Sequence, residues 1–314
     1  MGLSHRAFDP GVPCEVMKVV LTGGTGFLGS ALAESLAAGG HDVVSLSRTA
    51  GGTYKGVRHL AVPNGYSEID GADAVVNLAG AGIADERWTP ARKAVLLQSR
   101  VSVTRALVDA CARAAVKPKV LVSGSAIGYY GSSLDAHFDE SSPAGGDFLA
   151  QLCASWEQEA RAIEPLGIRC VLIRTGLVLG RNGGLLKKMA PPFRKFVGGP
   201  VGSGRQWMSW IHLDDWIALV RLAITTDAIR GPFNLVAPAP VTNREFSHAL
   251  GRALHRPSLM PLPEFAVRLM FGELADGALL ASQNVEPKVA RAAGYQFLQP
   301  DAQKALNEIY SRLR

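Results

Sequence analysis

At 314 residues the chain is long for one compact unit and short for three, so one large domain with a smaller lobe is the natural expectation. Hydrophobic residues make up 47% and charged residues 19%, an ordinary balance for a globule with a sizeable core. The formal charge of +6 comes from Lys and Arg scattered along the chain; without a basic run interleaved with aromatics, no nucleic-acid partner is expected.

Residues 1–16 contain no apolar secretory core and read as a disordered leader, which leaves Met1 or Met17 as the start. A short apolar run follows at residues 18–21, then glycine at positions 23, 26 and 29, then helical periodicity. That order reads strand, tight turn, helix. Such a turn needs glycine where the backbone bends sharply, where it approaches a pyrophosphate, and where the helix packs on the strand. The free N–H groups at the helix start then face the anion, and the expected contacts are Gly23, Thr25, Gly26, Phe27, Leu28 and Gly29.

A second apolar run, residues 41–47, ends at Ser47 and Arg48, about twenty residues after the turn, where this fold chooses between its cofactors. An acidic side chain there would hold a ribose 2′-hydroxyl; Arg48, with the hydroxyls of Ser47 and Thr49, offers a cation and donors to a 2′-phosphate instead. The expected cofactor is therefore NADP. Residues 57–62 read as a strand, and residues 74–78 as another that runs into Asn77, Leu78, Ala79 and Gly80. Small residues at that strand end let backbone approach the cofactor, so Leu78, Ala79 and Gly80 join the expected contacts. Residues 90–115 have the period of a major helix, with Thr89 as its cap and Pro90 in its first turn. The strand at residues 119–123 then carries Ser123 and leads to Ser125 at its carboxyl end, where open α/β sheets place their ligands.

The Gly-x-x-Gly-x-x-Gly turn with Thr22 and Phe27-Leu28, together with Asn77-Leu78-Ala79-Gly80, resembles the extended short-chain dehydrogenases/reductases, the group that includes the nucleotide-sugar epimerases. The resemblance implies a doubly wound, Rossmann-like α/β domain on a parallel sheet, with a smaller, mixed but mainly helical substrate lobe. It implies a catalytic role for Ser125 as donor to a substrate oxygen. Gly176 and Leu177 then lie on the loop that passes the nicotinamide, and Tyr129, Tyr130 and Glu140 fall in segments that line the active site. The helix of residues 90–115 often helps form a dimer in that group; its apolar positions would equally serve the sheet, so monomer and homodimer both stay open.

The group's proton donor is the tyrosine of Tyr-x-x-x-Lys on the helix after the fifth strand, and its lysine tunes the phenol and binds the nicotinamide ribose. Aligning Glu157 with the acidic residue that commonly follows this motif puts Leu149 at the tyrosine position and Cys153 at the lysine position. Leucine moves no proton and cysteine carries no cation. With this loss the chain resembles an atypical branch, the epimerase-family proteins of unassigned substrate that end in a small helical domain. The replacement donor would be Tyr129, Tyr130 or a water. Further on, residues 202–215 resemble a nucleotide-sugar motif, but Met208 stands where those enzymes place an arginine on the substrate diphosphate. Arg205, Trp207 and Met208 then suit a small, partly apolar substrate better than a sugar nucleotide.

The expected organisation is a cofactor domain over residues 17–180 and a substrate lobe over residues 181–314. The chain crosses back near residues 211–236, and a helical region fills residues 256–314. Four cysteines, Cys14, Cys111, Cys153 and Cys170, lie far apart without histidine companions, so neither a metal nor a disulfide framework is expected. No apolar run reaches the length of a bilayer span, and a cytoplasmic location without membrane partners is the default. The leading functional expectation is an NADP-dependent oxidoreductase or epimerase-like enzyme. The alternative is a protein that keeps the cofactor site without turnover, as a redox sensor or interaction module.

Overall fold

The computed structural model describes residues 15–49, 51–62, 64–181 and 183–311; Cys14 and nearly all of the expected leader lie outside them. The first half of the chain runs β1 (Lys18–Thr22), α1 (Phe27–Ala38), β2 (Asp42–Ser47), β3 (Gly52–Tyr54), β4 (Val57–Ala61), β5 (Ala74–Asn77), α2 (Pro90–Arg113), β6 (Val120–Ala126), β7 (His137–Phe138) and α3 (Phe148–Arg161). After these come β8 (Arg169–Thr175), β9 (Leu177–Leu179), α4 (Gly184–Arg194), β10 (Trp207–Met208), β11 (Trp210–His212), α5 (Leu213–Thr225) and β12 (Gly231–Leu235). The chain closes with β13 (Val241–Thr242), α6 (Asn243–Leu254), α7 (Glu264–Phe271), β14 (Asn284–Val285), α8 (Lys288–Ala292) and α9 (Ala302–Ser311).

Eight strands form one sheet in the order β12-β8-β6-β5-β1-β2-β4-β3. All are parallel except β3, which runs back along β4. Residues 57–62 are expected as the single strand of their region; the strand there is β4, Val57–Ala61, and β3 is added to it, with all three of its residues exposed. The central strands are apolar at consecutive positions, as Val19, Val20 and Leu21 illustrate with no exposed surface. That pattern belongs to a sheet covered on both faces. On one face Leu32 and Leu36 of α1 pack with Trp216, Leu219 and Val220 of α5. On the other, Leu107, Val108 and Cys111 of α2 pack with Ala160 of α3.

Strand order reverses between β1 and β5. The chain builds outward from β1 through β2 and β4, then returns to build β5, β6, β8 and β12 on the other side. A crevice at the carboxyl ends of the strands opens at such a switch point.

The second lobe has its own core. Phe193 of α4, Met208, Trp210, Phe246 and Leu250 of α6, and Leu306 and Ile309 of α9 pack together. Residues 211–235 return to supply α5 and the edge strand β12, and Ala290 of α8 packs on the large sheet's core as well. Asp215, fully buried, fastens that return: its carboxylate accepts from the Tyr295 hydroxyl at 2.8 Å and from the Leu298 and Gln299 amides at 2.7 and 2.9 Å. The local helix signals are met by cap bonds. Thr89 accepts from the Arg92 amide, Asp147 from the Ala150 amide, and Thr242 and Glu245 form a reciprocal capping box.

Candidate functional site

The β1–α1 turn determines where a ligand's backbone can sit. Gly23 has φ +74°, and a Cβ there would lie 2.6 Å from the Leu78 carbonyl oxygen. A Cβ on Gly29 would lie 2.2 Å from the Gly23 carbonyl oxygen. Neither position admits a side chain without moving backbone, so the turn lies flat against the end of β5 and the first turn of α1. Gly26 caps α1 in extended conformation with no side-chain bond to the helix start, and the first amides of α1 open toward the crevice with their partial positive charge.

Over this turn lies a cleft of about 440 Å³, within the range of small-molecule sites. Its walls include Gly23, Gly26, Phe27, Leu28, Gly29, Leu78, Gly176 and Leu177 from the expected cofactor contacts, and Ser125 at the end of β6. Leu149 and Cys153 line it too, so the positions aligned with the missing tyrosine and lysine do face the site. Thr25, Gly80 and Arg48 are exposed and do not line it; Arg48 follows the last residue of β2, Ser47, whose hydroxyl is turned to the Thr49 carbonyl. Ala79 lies on the loop after β5 and Ser123 is fully buried within β6.

A buried polar network backs the cleft. The Ser125 hydroxyl donates to Glu157 Oε1 at 2.7 Å. Arg174, the sixth residue of β8, forms a two-pronged pair with the same carboxylate, Nε to Oε1 at 2.8 Å and Nη2 to Oε2 at 2.9 Å. Its Nη1 donates to the Tyr130 hydroxyl at 3.0 Å, which donates on to Asn234 Oδ1 at 2.7 Å. The Tyr129 ring lies 3.5 Å from the guanidinium carbon. The phenol of Tyr130 is pushed up to about 12, mainly by burial, against the pull of Arg174. This hydroxyl is engaged on both sides. Tyr130 also borders an adjoining cavity with Trp88, Asp147 and Phe148.

Glu140 serves structure at this point: its Oε1 accepts from the Asn234 amide at 3.1 Å and the Val289 amide at 3.2 Å, which ties β12 to α8. Burial pushes its carboxyl above the usual range. Met208 sits in the second-lobe core, where its sulfur accepts from Asn243 Nδ2 at 3.3 Å. Trp207 is half-buried and Arg205 exposed, and none of these three borders the cleft. The hydrophobic walls come instead from Phe27, Leu28, Leu149, Leu152 and Trp156. Burial pushes the Cys153 thiol up to about 11, so it stays protonated near neutral pH.

Two residues that sequence reasoning passed over matter most. Arg174 follows the apolar run of residues 171–173 one residue before the end of β8, and Arg100 stands in α2 between the buried Leu96 and Thr104. A charge inside a run of buried positions was the available signal. Arg100 is 8% exposed and borders the cleft. Among the described residues no metal cluster of His, Cys, Asp or Glu is present, and no helix is long and apolar enough to cross a membrane.

A parallel sheet with helices on both faces, and a glycine turn and cleft at its switch point, define a Rossmann-like protein of the short-chain dehydrogenase/reductase type. The chain belongs to the NAD dependent epimerase/dehydratase family, which it matches over residues 19–235; residues 262–309 match a second family, a domain of unknown function designated DUF1731. An epimerase family protein of Mycobacterium bovis is 44% identical over 282 residues, 89% of this chain and 93% of that protein. Human epimerase family protein SDR39U1 is 40% identical over 296 residues, 93% of this chain and 99% of that protein. The crystal structure of human SDR39U1 isoform 2 with NADPH superposes with a TM-score of 0.87 at 38% identity, covering 94% of this chain and 99% of that one.

Proposed function

We propose that this protein binds NADP(H) in the cleft over the β1–α1 turn and acts as an oxidoreductase or epimerase-like enzyme on a small, partly apolar substrate. The observation that carries the binding reading is the glycine cradle: Gly23 and Gly29 leave no room for a Cβ, and α1 offers uncapped amides. NADPH in the human relative's structure supports it. Gly23, Gly26 and Gly29 would hold the pyrophosphate, Leu78, Gly176 and Leu177 would flank the nicotinamide half, and Arg48 with Ser47 would receive the 2′-phosphate. When bound, the cofactor supplies hydride exchange at a substrate carbon.

Ser125 gives the cleft its polar contact for that substrate. Its proton is directed to Glu157, so its lone pairs are left to accept from a substrate hydroxyl and orient it. Tyr130 holds Arg174 and Asn234 in place and does not serve as the proton source, a role that falls to water. Trp156, Leu149 and Leu152 favour a substrate with an apolar part. A second reading, cofactor binding without turnover, draws on Leu149 and Cys153 at the cleft wall, which bring neither a proton donor nor a cation.

Calorimetric titration with NADPH and NADH, on the wild type and Arg48→Ala, tests the binding reading. The expected result is at least about tenfold tighter NADPH binding that the variant loses, the size of one charge-assisted contact. Equal affinity for both cofactors overturns the NADP assignment, and binding of neither overturns the site. A carbonyl screen following NADPH oxidation then separates the two readings. Turnover abolished in Ser125→Ala with NADPH affinity retained supports the enzyme, and no turnover with any carbonyl supports the non-catalytic protein.

A further inference from the structure

The second lobe carries an apolar patch on its surface. α4 ends at Arg194 and Lys195, and the next two residues, Phe196 and Val197, are exposed. The Met260 amide donates to the Gly198 carbonyl at 3.2 Å and the Leu262 amide to the Pro200 carbonyl at 2.8 Å, so residues 259–262 run beside residues 197–200. That pairing brings the exposed Leu259 and Met260 next to Phe196 and Val197. α7 begins two residues after Leu262 and turns Val267 inward, which leaves Phe265 and Leu269, four apart on one side of the helix, 73% and 75% exposed.

Phe196 is held outward at a cost. Its φ is +65°, in the left-handed region where glycine usually follows a helix, and a bulky side chain there strains the backbone. Burial recovers little of that strain, since the residue is 59% exposed. The Arg256 guanidinium carbon lies 4.7 Å from the centre of its ring, which adds a cation to the edge of the patch.

The charge around these side chains has one sign. Residues 183–200 contain Lys187, Lys188, Arg194 and Lys195 and no acidic residue, and residues 246–263 contain Arg252 and Arg256 and no acidic residue. Lys187, Arg194 and Lys195 are exposed and have no ion-pair partner among the described residues. The neighbouring carboxylates are already paired: Glu264 and Asp276 with Arg268 at 3.3 and 3.0 Å, and Asp85 with Lys188 at 3.7 Å.

Exposed apolar side chains with a charged rim mark interaction surfaces, and here the charge selects the occupant. A second copy in a two-fold contact would set the patch against itself, cation against cation. A protein partner would need a pocket for each protruding side chain, whereas acyl chains receive them without a fixed shape. Phe, Leu, Met and Val flanked by Lys and Arg suit the boundary between anionic headgroups and acyl chains. A peripheral contact needs no spanning helix, and none is present among the described residues.

We propose that the end of α4, residues 259–262 and the outer side of α7 dock this protein on an anionic lipid bilayer, the apolar side chains inserting while the cations meet lipid phosphate. The contact is independent of what the cleft binds.

Co-sedimentation with vesicles of phosphatidylcholine, and of phosphatidylcholine and phosphatidylglycerol in equal parts, tests this on wild type and three double variants whose fold is checked by circular dichroism. Wild type is expected to bind the mixed vesicles, to leave the neutral ones, and to bind less as salt rises. Arg194→Glu with Lys195→Glu, and Phe196→Gly with Leu259→Ser, are each expected to weaken binding by about tenfold or more. The control is Arg113→Glu with Lys117→Glu, an equal change of net charge. Arg87, just before α2, donates to the Met270 carbonyl at 2.9 Å, so Arg113 at the other end of α2 lies a helix length away, about 35 Å. The control is expected to bind within about threefold of wild type.

No binding of wild type to the mixed vesicles overturns the proposal, as does unchanged binding in either patch variant or an equal loss in both charge variants. A wild-type dimer in sedimentation equilibrium that Phe196→Gly with Leu259→Ser dissociates, without vesicle binding, assigns the patch to a second copy and overturns it too. Should that apolar variant fail to fold, the charge variants decide: a loss confined to Arg194→Glu with Lys195→Glu supports the proposal, and an equal loss or no loss overturns it.

Discussion

Removing one partner of the Glu157–Arg174 pair tests the polar network behind the cleft most directly. The two side chains are 5% and 2% exposed and share two hydrogen bonds. Glu157→Leu would leave the Arg174 guanidinium buried without its carboxylate and the Ser125 hydroxyl without its acceptor. Breaking a buried pair from one side costs about 3–5 kcal/mol, and an orphaned hydroxyl adds about 1–3 kcal/mol. Replacing both charges, in Glu157→Leu with Arg174→Met, removes the uncompensated ion and leaves mainly the Ser125 hydroxyl without its acceptor, while the Tyr130 hydroxyl loses one donor and keeps its bond to Asn234. The double variant is therefore expected to cost about 2 kcal/mol or more less than the sum of the singles. Urea unfolding of all four proteins, followed by circular dichroism and read as Cm at constant m, measures the cycle. A single-variant cost below about 1 kcal/mol, or additivity within about 0.5 kcal/mol, would refute the claim that this ion pair organises the network.

Three further outcomes follow from the same geometry. Gly29→Ala, whose Cβ would sit 2.2 Å from the Gly23 carbonyl oxygen, should weaken NADPH binding by about tenfold or more as the turn is forced open; unchanged affinity in a titration would sink the cradle argument. Tyr130→Phe leaves Asn234 Oδ1 and one Arg174 N–H without their partner and should cost about 1–3 kcal/mol in urea unfolding, whereas a neutral result would mean water replaces the hydroxyl. Glu140 is held above its ordinary pKa of 4.5, mainly by burial. The folded state thus binds its proton more tightly than the unfolded state does. Its contribution is fully present below the unfolded pKa and is lost as pH rises through the folded one. As pH rises from below 4.5 through the raised folded pKa, the wild type should lose thermal stability relative to Glu140→Gln, and parallel melting curves across that rise would contradict the shift.

What the sequence by itself determined is local. The apolar run, the three glycines and the helical period around residues 18–38 specify strand, turn and helix because each acts within a few residues of chain. The caps at Thr89, Asp147 and Thr242 are likewise short-range hydrogen bonds, and the mismatch at Leu149 and Cys153 could be read from one helix alone. Which polar groups meet was decided only by the tertiary structure. Tyr130 and Asn234 are 104 positions apart, and Ser125 reaches Glu157 across 32; parallel pairing of β6 with β8, and of β8 with β12, brings the strands that carry Ser125, Arg174 and Asn234 side by side. The same folding sends Met208 and Trp210 into the second-lobe core and leaves the cleft to Phe27, Leu149 and Trp156. It also turns Arg100, one charged residue on a long helix, into a buried cation beside Gly80. A charge signals its type in sequence, but its partner, or the lack of one, is set by packing between segments far apart in the chain.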